Sequence, residues 1–138
     1  MQQHYDWATL PTEEMNPHLT RKVIHTQNMT IARLHLKKGG VVPEHHHINE
    51  QVAYVVSGAL MFQIDGKQLE LRSGECLVIP PDVPHSVEVL EDSDVIDTFA
   101  PARADWLAGC MQQNNACERA CLVQCRPIGG PLVSWTDY

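Results

Sequence analysis

The chain has 138 residues, 43% of them hydrophobic and 20% charged, a composition that fits one globular domain spanning 1–138 with a core of its own. Its net charge of −7, with 10 Lys+Arg against 17 Asp+Glu, offers no basic stripe for phosphates, so nucleic acid is not an expected partner. No apolar run approaches the roughly 20 residues of a membrane span, and Met1–Trp7 lacks the basic and apolar regions of a secretory signal, so no membrane partner and a cytoplasmic location are expected.

In chain order, Asp6 to Lys22 carries Pro11 and Pro17 and reads as an arm of loop, short helix and edge strand outside the main body. From Ile31 onward, turn signals recur at Lys38-Gly39-Gly40, Ser57-Gly58, Asp65-Gly66, Ser73-Gly74 and Pro80-Pro81-Asp82. Between them lie β-favouring runs over Ile31–Leu36, Val52–Val56, Leu60–Ile64, Lys67–Leu71, Cys76–Ile79, Ser86–Leu90 and Val95–Phe99. Asp65-Gly66 is the strongest two-residue hairpin signal. Many short antiparallel strands hide their edges by closing on themselves or packing as two sheets, which predicts an all-β barrel or jelly roll over about 31–100. Past Pro101 the composition shifts, and Arg103 to Gln124 is rich in helix formers, which predicts a short helical extension within 103–138. Cys117, Cys121 and Cys125 recur every fourth residue there and, with Cys110, match no zinc-ribbon or iron–sulfur spacing, so reduced structural thiols are expected.

Three of the eight histidines stand together in Glu44-His45-His46-His47, just before Gln51. On a strand His45 and His47 share a face, His46 takes the other, and Gln51 shares their parity if the strand continues in phase. Glu50 has the opposite parity and is set aside as a ligand. His85, 34 residues past Gln51, begins a later strand that a barrel would bring opposite. Three neutral imidazoles suit zinc, iron, nickel, copper or manganese, and a neutral amide oxygen leaves the ion more residual positive charge than a carboxylate would. His46 reads as exposed, and His4, His18, His25 and His35 are isolated and carry no assigned role.

The surrounding spacing resembles the cupin superfamily. Gly39, His45, His47, Gln51 and Gly58 follow the first cupin motif, with Gln where most members carry Glu; Gly74, Pro80, Asp82 and His85 follow the second, with Asp for the usual Gly and Val89 for the usual Asn. The two motifs stand in order, 15 residues apart. From about Gly39 to Leu107 the chain is also similar to the KdgF family, small cupins of pectin and alginate breakdown. The stretches that carry this are His45-His46-His47-Ile48-Asn49-Glu50-Gln51, Val78-Ile79-Pro80-Pro81-Asp82-Val83-Pro84-His85 and Asp97 to Leu107.

The resemblance implies a single cupin jelly-roll barrel that binds one divalent transition metal (zinc, nickel, iron or manganese) through His45, His47, Gln51 and His85. It implies opening of a cyclic 4,5-unsaturated uronate to its linear keto-aldehyde, with Asp97, Phe99 and Arg103 as the catalytic and substrate-binding positions. A small anionic sugar is then the ligand, and a homodimer the expected assembly. The residue chemistry agrees: Asp97 suits acid–base transfer if apolar surroundings raise its pKa, Arg103 offers a planar fork for a carboxylate, and Phe99 shares the parity of Asp97 and would wall the pocket. Two rivals stand beside this reading. Three histidines plus an oxygen donor also describe oxygen-activating dioxygenases, and a non-catalytic module or sensor holding a small acid on its metal would need the same ligands.

Overall fold

The computed structural model describes residues 3–107. Cys110, Cys117, Cys121, Cys125 and most of the expected helical extension lie outside them. Eight strands run in the order β1 (Glu13–Asn16), β2 (Leu19–His25), β3 (Thr30–Leu36), β4 (Val41–His45), β5 (Glu50–Ile64), β6 (Lys67–Arg72), β7 (Cys76–Ile79) and β8 (His85–Ala100), followed by the short helix α1 (Ala104–Leu107). All pair antiparallel in one sheet with the path β1-β2-β3-β8-β5-β6, while β4 joins β8 and β7 joins β5. Among the described residues no helix is long and apolar enough to cross a membrane.

Three expectations need correction. Val52–Val56 and Leu60–Ile64 are not two strands but halves of β5, and Ser86–Leu90 and Val95–Phe99 are likewise halves of β8. Ser57-Gly58 is therefore a bulge, not a turn: the β5–β8 register shifts between Val55, Ser57, Ala59 and Leu60. Gly58 adopts φ +99°, and a Cβ there would lie 2.2 Å from Ser93 Oγ and 2.5 Å from the Asp92 carbonyl. Ser93 Oγ fills the space instead, accepting from the Ala59 N–H at 3.1 Å and donating to the Glu91 carbonyl at 2.7 Å. Secondly, the N-terminal arm carries two strands, and β2 is a full partner of β3 from Leu19 to His25. Thirdly, His47 does not ride on the strand of His45. β4 ends at His45, and residues 46–49 are a connection without ladder pairing.

Asp65-Gly66 forms the expected hairpin, both residues having positive φ (53° and 73°), as a tight turn matched to strand twist requires. Alternation along β3, β5 and β8 sends one set of side chains inward. Leu34, Leu36, Val55, Leu60, Phe62 and Val95 form the centre of the core. The same inward parity continues into polar residues toward one end: Thr30, Gln51, His85 and Asp97 are all buried. A polar set on the inner face is costly to desolvate unless partnered, and so marks the functional end of the molecule.

Candidate metal centre

His45 ends β4 and is the register partner of His85, which starts β8. His47 reaches the same point from the 46–49 connection. The three ring centroids lie 4.3 Å (His45–His85), 5.2 Å (His47–His85) and 5.8 Å (His45–His47) apart, and one ligand nitrogen from each falls within 4.8 Å of the others. This is the only group of three or more His, Cys, Asp or Glu with metal-holding geometry among the described residues.

Each ring is oriented by its own chain neighbourhood. Nδ1 of His45 donates to the Pro43 carbonyl at 2.8 Å, that of His47 to the Asn49 carbonyl at 3.0 Å, and that of His85 to the Val83 carbonyl at 2.8 Å. A carbonyl only accepts, so Nδ1 carries the proton in all three rings and each Nε2 is left as a lone pair. Burial pushes the pKa of His45 and of His47 down to about 4, with the Arg103 charge and the neighbouring rings adding to it; His85 is lowered by burial and then by Arg103. The rings are therefore neutral at pH 7, the form that binds metal.

Gln51 Oε1 sits 3.1 Å from His47 Nε2. With His47 in that tautomer two lone pairs face each other, an arrangement that a cation held by both stabilises. His85 Nε2 and Gln51 Nε2 are buried without a hydrogen-bond partner among the described residues. An orphaned buried imidazole nitrogen, a fixed tautomer and a nearby amide oxygen fit a divalent transition metal. Asp82, where the second motif usually has Gly, takes the left-handed conformation (φ 62°), which Asp tolerates better than most residues, and its N–H donates to the His47 carbonyl at 2.8 Å. His46 and Glu50 are exposed as expected, and His46 lies 3.9 Å from Asp82 at the rim.

Asp97 is 0% exposed, and its register partners on either side, Ala32 and Ala53, are equally buried. Phe99 pairs with Gln51 across the β5–β8 ladder and is fully buried. It does not form an open wall: its ring packs against His47 (5.5 Å) and Trp106 (5.1 Å). Arg103 is 1% exposed, its guanidinium 4.8 Å from the centre of Phe99 and 4.5 Å from that of Trp106. It also forms a two-pronged pair with Asp105, Nε to Oδ1 at 2.9 Å and Nη2 to Oδ2 at 2.6 Å. Burial alone would raise the Asp105 pKa, but the Arg103 fork holds the carboxyl below its usual range.

Sequence reasoning did not single out the groups that support this end. Thr30 Oγ1 accepts the Arg103 backbone N–H at 2.9 Å and meets His25 Nδ1 at 2.9 Å. Arg21 lies 4.1 Å over Trp106 and pairs with Glu13 at 2.7 Å. Asn49, 2% exposed, donates to the carbonyls of Pro101 (2.6 Å) and Ala102 (3.3 Å). Only Asp105 had a signal, an acid two residues from Arg103.

The cupin-domain family profile matches residues 32–96. Pectin degradation protein KdgF of Dickeya dadantii (strain 3937) is 35% identical over 100 residues, covering 70% of this chain and 91% of that protein. Among solved structures, KdgF from Halomonas sp. superimposes with a TM-score of 0.72 at 30% identity, covering 76% of this chain and 98% of that one. An RmlC-like cupin from Shewanella frigidimarina NCIMB 400 gives 0.72 at 27% identity, with 77% and 96% covered. Acireductone dioxygenase of Bacillus pumilus is 34% identical over 58 residues, which span 38% of this chain and 33% of that enzyme.

Proposed function

Because the chain belongs to the cupins and, within them, to the KdgF family, we propose that it is a metal-dependent isomerase that opens cyclic 4,5-unsaturated uronates, released by pectin or alginate lyases, to the linear keto-aldehyde. The observation that carries this reading is the common location of three unlike groups. The Phe99 ring touches both His47 (5.5 Å) and the buried guanidinium of Arg103 (4.8 Å), the Arg103 charge depresses the pKa of each imidazole, and the buried carboxylate of Asp97 stands two residues before Phe99 on the same face of β8.

Bound by His45, His47, His85 and Gln51, a divalent metal would supply Lewis-acid polarisation of substrate oxygen without a change of oxidation state. Arg103 binds and orients the uronate carboxylate, which takes the place of the Asp105 carboxylate now in its fork. Asp97 removes the anomeric hydroxyl proton as the bond from C1 to the ring oxygen breaks, leaving an aldehyde at C1 and an enolate across C4 and C5, and a proton is then delivered to C4. One proton leaves and one returns, so the reaction is an isomerisation that needs no oxidant. Phe99 and Trp106 exclude water and hold the guanidinium in place.

The test is incubation of metal-loaded protein with lyase-generated unsaturated monouronate while the enol-ether absorbance is followed. Metal-dependent loss of absorbance without oxygen uptake is the expected result. Oxygen consumption would assign the site to dioxygenase chemistry, and ligand binding without turnover would assign it to a sensor.

A further inference from the structure

The β5–β8 ladder ends at the pair Glu50–Ala100. The next pair would set Asn49 against Pro101, which has no N–H to give. There the Asn49 side chain takes over from the backbone. Its buried amide donates to the carbonyls of Pro101 and Ala102, at 2.6 and 3.3 Å, and so holds the turn that leads into Arg103. The far side of that turn is held by Thr30, whose hydroxyl accepts the Arg103 N–H at 2.9 Å. The backbone carbonyl of the same Asn49 accepts from His47 Nδ1 at 3.0 Å, which fixes the ring that faces Gln51.

We propose that Asn49 is a positioning residue that couples the two halves of the site, setting the imidazole of His47 through its carbonyl and the guanidinium of Arg103 through its amide. The inference rests on the reading of Arg103 as the group that binds a substrate carboxylate. Asn is suited to the task because its carboxamide donates to two carbonyls at once. Asp, of the same shape, would set carboxylate oxygens against carbonyl oxygens, and Ala would leave both carbonyls without this donor. The carbonyl that orients His47 belongs to the backbone and survives either substitution, so the defect falls on the Arg103 side.

Asn49→Ala and Asn49→Asp are therefore expected to raise KM for unsaturated monouronate about tenfold, with kcat within a few-fold and metal content equal to the parent's. Combined with Arg103→Ala, Asn49→Ala should raise KM no further, because both changes remove one function. Thr30→Val, which releases the same turn from its other side, should reproduce the KM defect and carries the test if the Asn49 variants do not fold. Calorimetric binding of galacturonate, a saturated uronate that does not turn over, separates this inference from the proposed activity. About tenfold weaker binding by Asn49→Ala than by the parent supports the coupling even if the parent isomerises nothing. A parent that binds no galacturonate, a fall in kcat at constant KM, loss of metal in step with activity, or additive effects with Arg103→Ala would each overturn it.

Discussion

Gln51 differs from the three imidazoles of the site in having no titratable proton, and it is buried with its oxygen facing His47. Gln51→Glu keeps the shape and the oxygen but adds a negative charge beside the proposed ion, so metal occupancy should hold while the ion's pull on substrate oxygen weakens. Turnover is expected to fall about tenfold with occupancy near one ion per chain, measured by metal analysis beside kinetics. Asp97 and Arg103 should fail in different ways. If Asp97 moves the proton, Asp97→Asn lowers kcat by about 10²–10⁴-fold with metal and binding retained. Arg103→Lys keeps the charge but loses both the two-pronged pairing and the planar contact with Phe99 and Trp106, so KM should rise about tenfold or more with a smaller change in kcat. Asp97→Asn that turns over like the parent would remove Asp97 from the mechanism.

At the scale of strands, Gly58 decides whether β5 is one strand or two. The dipeptide Ser57-Gly58 reads as a turn because Gly at positive φ most often ends a strand, and the same conformation also makes a bulge. What distinguishes them is Ser93, 35 residues later, which occupies the space a Cβ would need. No local pattern contains that information. Gly58→Ala should cost about 3 kcal/mol or more in chemical denaturation, since it strains the backbone and drives a methyl into the Ser93 backbone and hydroxyl. A loss below about 0.5 kcal/mol would mean the bulge yields readily. The same limit applied elsewhere. β-favouring runs between turn signals exposed β3, β6, β7 and both halves of β8, whereas β2 was masked by Arg21, Lys22 and His25, polar residues whose partners come from other segments. The histidines were legible because motif spacing is local. Parity gave His45 and His47 a common target, although His47 arrives by a connection that leaves the ladder. Asn49, Thr30 and Arg21 were not legible, since each acts on a residue more than 50 positions away.

For the whole molecule, the three buried rings tie stability to pH. Free histidine titrates near 6.5, and burial holds His45 and His47 near about 4, with His85 shifted the same way. Between these values the unfolded chain binds more protons than the folded one, so the rings contribute stability that is fully present above about pH 6.5 and is lost as pH falls through about 4. Net charge acts in the opposite sense: at −7 the chain repels itself at neutral pH, and that repulsion eases as pH approaches the pI near 5.5. A raw melting curve therefore mixes two slopes. The difference between the metal-free parent and a metal-free His45→Gln plus His47→Gln variant isolates the histidine part, because the background charge is common to both and any packing change does not depend on pH. That difference should favour the parent increasingly as pH rises from about 4 to about 6.5 and then level off. Metal steepens the trend in the parent alone, since an ion that needs the neutral rings competes with protons for them, so chelation should lower the parent's Tm most at neutral pH and least near pH 4.5. Parallel Tm curves for the two metal-free proteins across this window would show that the rings are not desolvated enough to hold their protons off. A chelator effect independent of pH would place the stabilising ion on ligands other than these histidines.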